Sequence, residues 1–241
     1  MSVPPANLVV VLHQTRSPDN LGAVARLMAN FGFYRLALSE PVTYAFGAAQ
    51  KLAVGAEESL DHLELFQHLP DALDQAVYAC GTTGRREISG RQVLSPEEGI
   101  RRLSKSASGG RVALVFGGEK RGLSDQELSV CDDLIAIPTQ AIQPSMNLSQ
   151  AVAVLLYLCS RGNADPKVES SDAPGATLET ARRLEELMEE VLLRAGFLNP
   201  QAPQHLLGEM RRSLWRSAPT QREAELWLSA FNQLRWALRK D

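Results

Sequence analysis

Three short apolar runs end in loops whose residue types suit ligand recognition. Ala76–Cys80 is followed by Gly81-Thr82-Thr83-Gly84-Arg85-Arg86, and Val112–Phe116 by Gly117-Gly118-Glu119-Lys120-Arg121-Gly122. Leu134–Ile137 leads into a longer loop from Pro138 to Asn147 that carries Pro144, Ser145 and Met146. Glycine lets a main chain approach a ligand closely and present its N–H and C=O groups. In an open parallel sheet, ligands bind outside the carboxyl ends of the strands. The three loops together point to a site that reads a nucleoside-like ligand through main-chain groups.

The first apolar run, Leu8–Leu12, leads instead into His13-Gln-Thr-Arg-Ser-Pro-Asp-Asn-Leu-Gly22. This stretch holds no G-x-G-x-x-G, and the chain has no Walker A motif, which argues against an ordinary dinucleotide fold. Arg26 falls on the helix face away from the apolar stripe Val24, Leu27, Met28 and Phe31. A guanidinium there can grip a phosphate or stabilise an oxyanion. Each of these residues also has a plainer role. Spacing alone makes Arg26 a surface arginine, Asn20 a helix cap, Ser145 and Asn147 the cap of the next helix, and Glu119 a solvated loop charge. Cys80, Cys131 and Cys159 are far apart, and the four histidines show no ligand spacing, so neither a metal site nor a disulfide framework is expected.

The elements that must position these residues are legible in outline. With 241 residues, 44% hydrophobic and 22% charged, the composition is that of a soluble globular protein. No apolar run approaches the roughly 20 residues of a membrane span, and the N-terminus lacks the basic and apolar regions of a signal peptide. A cytoplasmic protein is expected. Leu8–Leu12, Tyr34–Leu38, Ala76–Cys80, Val112–Phe116 and Leu134–Ile137 alternate with helical patterns. That order predicts an α/β fold, a mostly parallel sheet with helices on both faces. The first helix is expected from near Asn20, capped by Asp19 or Asn20. Ser124-Asp-Gln-Glu127 reads as a capping box, and a helix is expected over Leu148–Tyr157.

The chain divides into residues 1–161, a polar linker over 162–177 rich in Pro, Gly, Ser and Asp, and a helical module over 178–241. In that module Leu184, Leu187, Met188, Val191 and Leu192 form one face, a second helix is expected over Gln204–Ser217, and Thr220-Gln-Arg-Glu223 opens a third. Net charge is −3 for the whole chain, but between Arg194 and Lys240 eight Lys/Arg face three Glu, a local excess of +5. All three tryptophans lie there too. Such an excess can seat a phosphate backbone; equally, it can be the solvated face of a helical hairpin with the tryptophans in its core.

Taken jointly, the motifs resemble the SPOUT class of RNA methyltransferases. The resemblance rests on the N-x-G-x-x-x-R pattern Asn20-Leu-Gly22-Ala-Val-Ala-Arg26, on LVFGGEKRGLS at Leu114–Ser124 and on IPTQAIQPSMNLSQAVAV at Ile137–Val154, in that order over the first roughly 160 residues. The helical module after a linker is similar to the TrmJ group, which methylates the ribose 2′-hydroxyl of nucleotide 32 in the tRNA anticodon loop. The resemblance implies a C-terminal trefoil knot in the α/β domain, S-adenosylmethionine held in it, and a homodimer with each active site at the subunit interface. By position, Thr82, Thr83, Gly84, Gly117, Ile137, Ser145 and Met146 would contact the cofactor. Arg26, Ser145 and Asn20 would be catalytic, and Glu119, Asn147, Arg211 and Arg212 would contact tRNA. The Gln143-Pro144-Ser145-Met146-Asn147 segment departs from the Ser-Leu-Asn core frequent in the group, and Gly118 stands where a basic residue is common; both bear on substrate preference. A non-catalytic RNA-binding module, another RNA target and an α/β enzyme acting on a small metabolite are the competing readings.

Overall fold

The computed structural model describes residues 2–42, 46–161, 174–215 and 219–239. In chain order the elements are β1 Leu8–His13, α1 Pro18–Asn30, β2 Arg35–Ser39, α2 Phe46–Gln50, α3 Glu57–Asp61, β3 Glu64–Phe66, α4 Leu69–Leu73 and β4 Ala76–Thr82. There follow β5 Val93–Leu94, α5 Pro96–Ser106, β6 Arg111–Phe116, α6 Asp125–Ser129, β7 Asp133–Ile135 and α7 Leu148–Arg161. The C-terminal helices are α8 Leu178–Arg194, α9 Pro203–Trp215 and α10 Gln221–Ala237.

Seven strands form one sheet in the order β3-β2-β1-β6-β4-β7-β5, every pair parallel. The interior strand β1 is buried along its whole length, as expected of a parallel strand covered on both faces. Successive residues point to opposite faces. Leu8, Val10 and Leu12 pack with Val24 and Met28 of α1, Ile100 and Leu103 of α5, and Val152 and Leu155 of α7. Val9 and Val11 pack with Leu69, Leu73, Leu128 and, from the C-terminal module, Leu178. A third cluster, built on Leu184, Met188, Val191, Trp215 and Phe231, is the module's own core.

The expected fold class is observed, with differences at element ends. α1 begins at Pro18, not near Asn20, because Ser17 is the cap. The Ser17 hydroxyl accepts the Asn20 N–H at 3.2 Å, and proline fits the first turn. The expected last strand stops at Ile135. The sheet edges, β3 and β5, have three and two residues, too few for an alternation to register. Both expected capping boxes form, at Ser124/Glu127 and Thr220/Glu223. Ser217, the expected end of α9, lies outside the described residues, as do 162–173 of the linker. The linker's last residues are pinned. Gly175 N–H donates to Gly109 at 2.8 Å, Ala176 N–H to Pro219 at 2.9 Å, and Gln221 N–H to Pro174 at 2.9 Å.

Candidate active site

The carboxyl ends of β4, β6 and β7 are stitched together by the last residue of β4 and the one that follows it. The Thr82 hydroxyl donates to Val115 O at 2.9 Å, and Thr83 N–H donates to Ile135 O at 2.9 Å. Across from them the 138–147 loop closes on itself: Thr139 Oγ1 donates to Pro144 O at 2.9 Å and Gln143 N–H to Gln140 O at 3.0 Å. Arg86 clamps that loop by donating to Thr139 O at 2.7 Å. A Cβ on Gly84 would lie 3.7 Å from Pro144 O, so the two loops face each other across a glycine. Ser145 and Met146 stand exposed there, and Ile137 is half-buried at the loop's start.

Gly117 has a reason of its own to lack a side chain. A Cβ at that position would sit 2.2 Å from the Gly122 carbonyl carbon and 2.4 Å from Leu123 N, so the tight 117–122 loop closes only over hydrogen. The closed loop delivers Glu119 to the start of α1. Its Oε1 accepts Ser17 N–H at 3.1 Å and Asn20 Nδ2 at 3.0 Å; its Oε2 accepts Arg16 N–H at 3.0 Å. Burial works to raise the Glu119 pKa. The Asn20 amide, Glu119's own N–H and the Ser17 and Arg16 N–H groups outweigh it and hold the carboxyl below its ordinary value.

Asn147 completes the joint. Its Oδ1 accepts Ser149 N–H at 2.9 Å, the expected capping role at α7, while its Nδ2 donates to Asn20 Oδ1 at 3.3 Å. Glu119, Asn20 and Asn147 thus tie the β6 loop to the starts of α1 and α7. Because Ser17 performs the capping, Asn20 keeps its amide free for both bonds.

Arg26 is not part of this joint. It is exposed and has no hydrogen-bond or ion-pair partner among the described residues. It lies six residues beyond Asn20, about 9 Å along the helix and roughly 120° around it. Arg211 is also placed differently from the expectation. It is turned inward at the opposite edge of the sheet, donating to Ser129 O at 3.1 Å, with 3.5 Å to Asp132 and 3.8 Å to Glu185. Asp132 is a buried carboxylate whose pKa desolvation raises, and an apposed guanidinium is what lets such a group stay charged. Arg212, one residue on, is exposed.

Sequence reasoning missed a polar cluster at the carboxyl ends of β1 and β2. His13 is buried with Nδ1 3.0 Å from Ser39 Oγ and Nε2 3.1 Å from Glu127 Oε1. Arg121 donates to Glu127 at 2.7 Å and to Gln14 at 3.2 Å. A histidine closing an apolar strand was the available signal. Arg91 is a second omission: it donates at 2.7 Å to Cys131 O and 2.8 Å to Asp132 O, holding the 83–92 loop on the segment before β7. Among the described residues no group of His, Cys, Asp or Glu could hold a metal ion. The three thiols are buried, and burial pushes Cys131 and Cys159 up to about 12. A groove of about 530 Å³ adjoins the site, lined by Pro96, Glu97, Ile137, Pro138, Ala153, Val154, Tyr157 and Leu158.

The sequence profile of the SpoU rRNA Methylase family matches residues 7–157. The tRNA (cytidine/uridine/adenosine-2′-O-)-methyltransferase TrmJ of Pseudomonas aeruginosa (strain UCBPP-PA14) is 35% identical over 229 residues, covering 90% of this chain and 89% of that one. The tRNA (cytidine/uridine-2′-O-)-methyltransferase TrmJ of Klebsiella pneumoniae (strain ATCC 700721 / MGH 78578) is 31% identical over 227 residues, 91% of this chain and 93% of the relative. The crystal structure of TrmJ from Zymomonas mobilis ZM4 superposes with a TM-score of 0.79 at 23% identity, over 94% of this chain and 98% of that one, which shows a shared fold through the C-terminal helices. With the profile spanning the whole α/β domain and relatives above 30% identity along nearly all of its length, this chain belongs to the SpoU methylase family and, within it, to the TrmJ group.

Proposed function

We propose that this protein transfers a methyl group from S-adenosylmethionine to the 2′-hydroxyl of a tRNA ribose in the cytoplasm, at nucleotide 32 of the anticodon loop. The observation that carries the reading is the Glu119–Asn20–Asn147 joint. It brings the three family motifs to one edge of the sheet. The relatives' names supply tRNA and the 2′-oxygen.

The residues present fit the cofactor. Thr82–Gly84, Ile137 and Ser145–Met146 lie on two facing loops, with Gly84, Ser145 and Met146 exposed, and Gly84 leaves open the space a Cβ would fill. When bound, S-adenosylmethionine supplies an electrophilic methyl on a sulfonium. The protein's part is to orient the ribose hydroxyl and favour loss of its proton. Free arginine, with a pKa above about 12, does not serve as a base. Arg26 therefore stabilises the developing alkoxide, Ser145 orients the hydroxyl, and an RNA phosphate takes the proton.

Arg26 stands away from the joint on its own chain, which supports a homodimer in which it serves the partner's site. The apolar groove beside Ile137, with Val154 36% and Tyr157 44% exposed on α7, is a surface that a second subunit can cover. The trefoil knot implied by the family belongs to the same proposal, supported by the shared fold. The test is methylation of transcribed tRNA by the purified protein, followed by nuclease digestion and mass spectrometry. A 2′-O-methylated nucleotide 32 is expected; tRNA recovered unmodified overturns the reading. A pure binding module would also give no heat with S-adenosylmethionine in calorimetry.

A further inference from the structure

The cations on the carboxyl edge of the sheet divide into two sets. Arg85 pairs with Asp125 at 2.6 Å, Arg86 donates to Thr139 O at 2.7 Å and Arg121 pairs with Glu127 at 2.7 Å. Arg16 and Lys120 are exposed, and neither side chain has a hydrogen-bond or ion-pair partner among the described residues. The two unpaired side chains flank one carboxylate. Lys120 follows Glu119, and Arg16 is held by its own N–H to Glu119 Oε2 at 3.0 Å. The Arg16 backbone is therefore fixed at the joint, Lys120 adjoins the carboxylate held there, and both charged side chains are exposed.

Glu119 forms no ion pair with either, because its two oxygens already accept three N–H groups from Arg16, Ser17 and Asn20; with its negative charge counted, the three side chains leave a local excess of +1. The nearest unpaired acid in sequence, Asp19, lies seven residues before Arg26 and on the same face of α1. The C-terminal module offers less free charge than its composition suggests. Arg194, Arg235 and Arg239 converge on Glu190 at 3.8, 3.3 and 3.9 Å, and Arg211 is held in the seam.

We propose that Arg16 and Lys120 form a two-cation clamp for RNA backbone phosphates at the mouth of the site, seating the strand that carries the target ribose. The proposal rests on the tRNA reading above. Side-chain charge is the working part, so Arg16→Gln and Lys120→Gln keep the N–H bonds that hold Glu119.

The test measures binding of transcribed tRNA to the wild-type protein, R16Q/K120Q and R16K/K120R across a salt series. Losing two phosphate contacts should lower the slope of log K against log salt by about 1.4–1.8 and weaken binding roughly twenty- to sixty-fold near 0.1 M salt. R16K/K120R should keep the wild-type slope. Calorimetry with S-adenosylmethionine and the thermal midpoint should match wild type in both variants, showing that fold and cofactor loops are intact. A wild-type slope in R16Q/K120Q overturns the clamp. Wild-type protein that neither binds nor methylates tRNA overturns the parent reading instead, so the two failures are distinguishable.

Discussion

At the scale of residues, the joint at Asn20 does two things with one amide. Its Nδ2 serves Glu119 and its Oδ1 serves Asn147. Asn20→Ala should leave Glu119 with a lost neutral-to-charged hydrogen bond, about 1.5–3 kcal/mol before solvent screening discounts it at this exposed site. Turnover should fall more than thermal stability does, as steady-state kinetics beside a melting curve would show. Glu119 also carries a pH signature. Its folded pKa lies below its unfolded value, so its contribution is complete above about pH 4.3 and is lost as pH falls through the folded value. Acid titration of E119Q should therefore show a shallower loss of stability below about pH 4.5 than wild type. Equal acid limbs in the two proteins would count against an ionised, hydrogen-bonded Glu119. None of this was visible in composition. The sequence shows that Asn20, Glu119 and Asn147 are polar and where they fall, but not that a serine three residues earlier relieves Asn20 of capping.

At the scale of elements, legibility followed length and burial. The long apolar runs of β1, β4 and β6 announce themselves because a strand covered on both faces needs apolar residues at every position. The edge strands β3 and β5 pair on one side only and are too short to carry a pattern. The start of α1 was displaced because Ser17-Pro18 and Asp19-Asn20 are both good starts, and the proline decides between them. Ser17→Ala should cost about 1 kcal/mol, measurable by urea unfolding. Gly117→Ala should be far more damaging than a surface change, since the loop has no room for a Cβ. A variant that kept wild-type Tm and turnover would refute that packing argument.

At the scale of the whole molecule, charge in the sequence could not reveal direction. The C-terminal arginines read as a basic face, yet Arg211 closes the seam between the module and the amino-end side of the sheet. Arg182 does the same beside it, paired with Asp74. Arg211→Ala should leave Asp132 buried against fewer compensating charges and cost about 1.5–3 kcal/mol, without altering the salt dependence of tRNA binding. A changed slope would return Arg211 to the RNA surface. The proposed homodimer makes a separate prediction. Mixing R26A subunits with N147A subunits should restore about a quarter of wild-type activity, since half the dimers are mixed and one of their two sites is whole. No recovery would place Arg26 in the site of its own chain.

The strap at 174–177 sets how the two parts of the molecule are spaced. Gly175 is fixed to Gly109 of the α/β domain, while Pro174 and Ala176 are fixed to Gln221 and Pro219 at the entrance to α10. The module therefore takes its position from a three-way junction. Three main-chain hydrogen bonds over three consecutive residues leave the strap no freedom to lengthen or swing without breaking one of them. The strap thus works as a fixed bracket: an RNA that touches both parts meets them at one spacing, set where residues 174–176 are fastened.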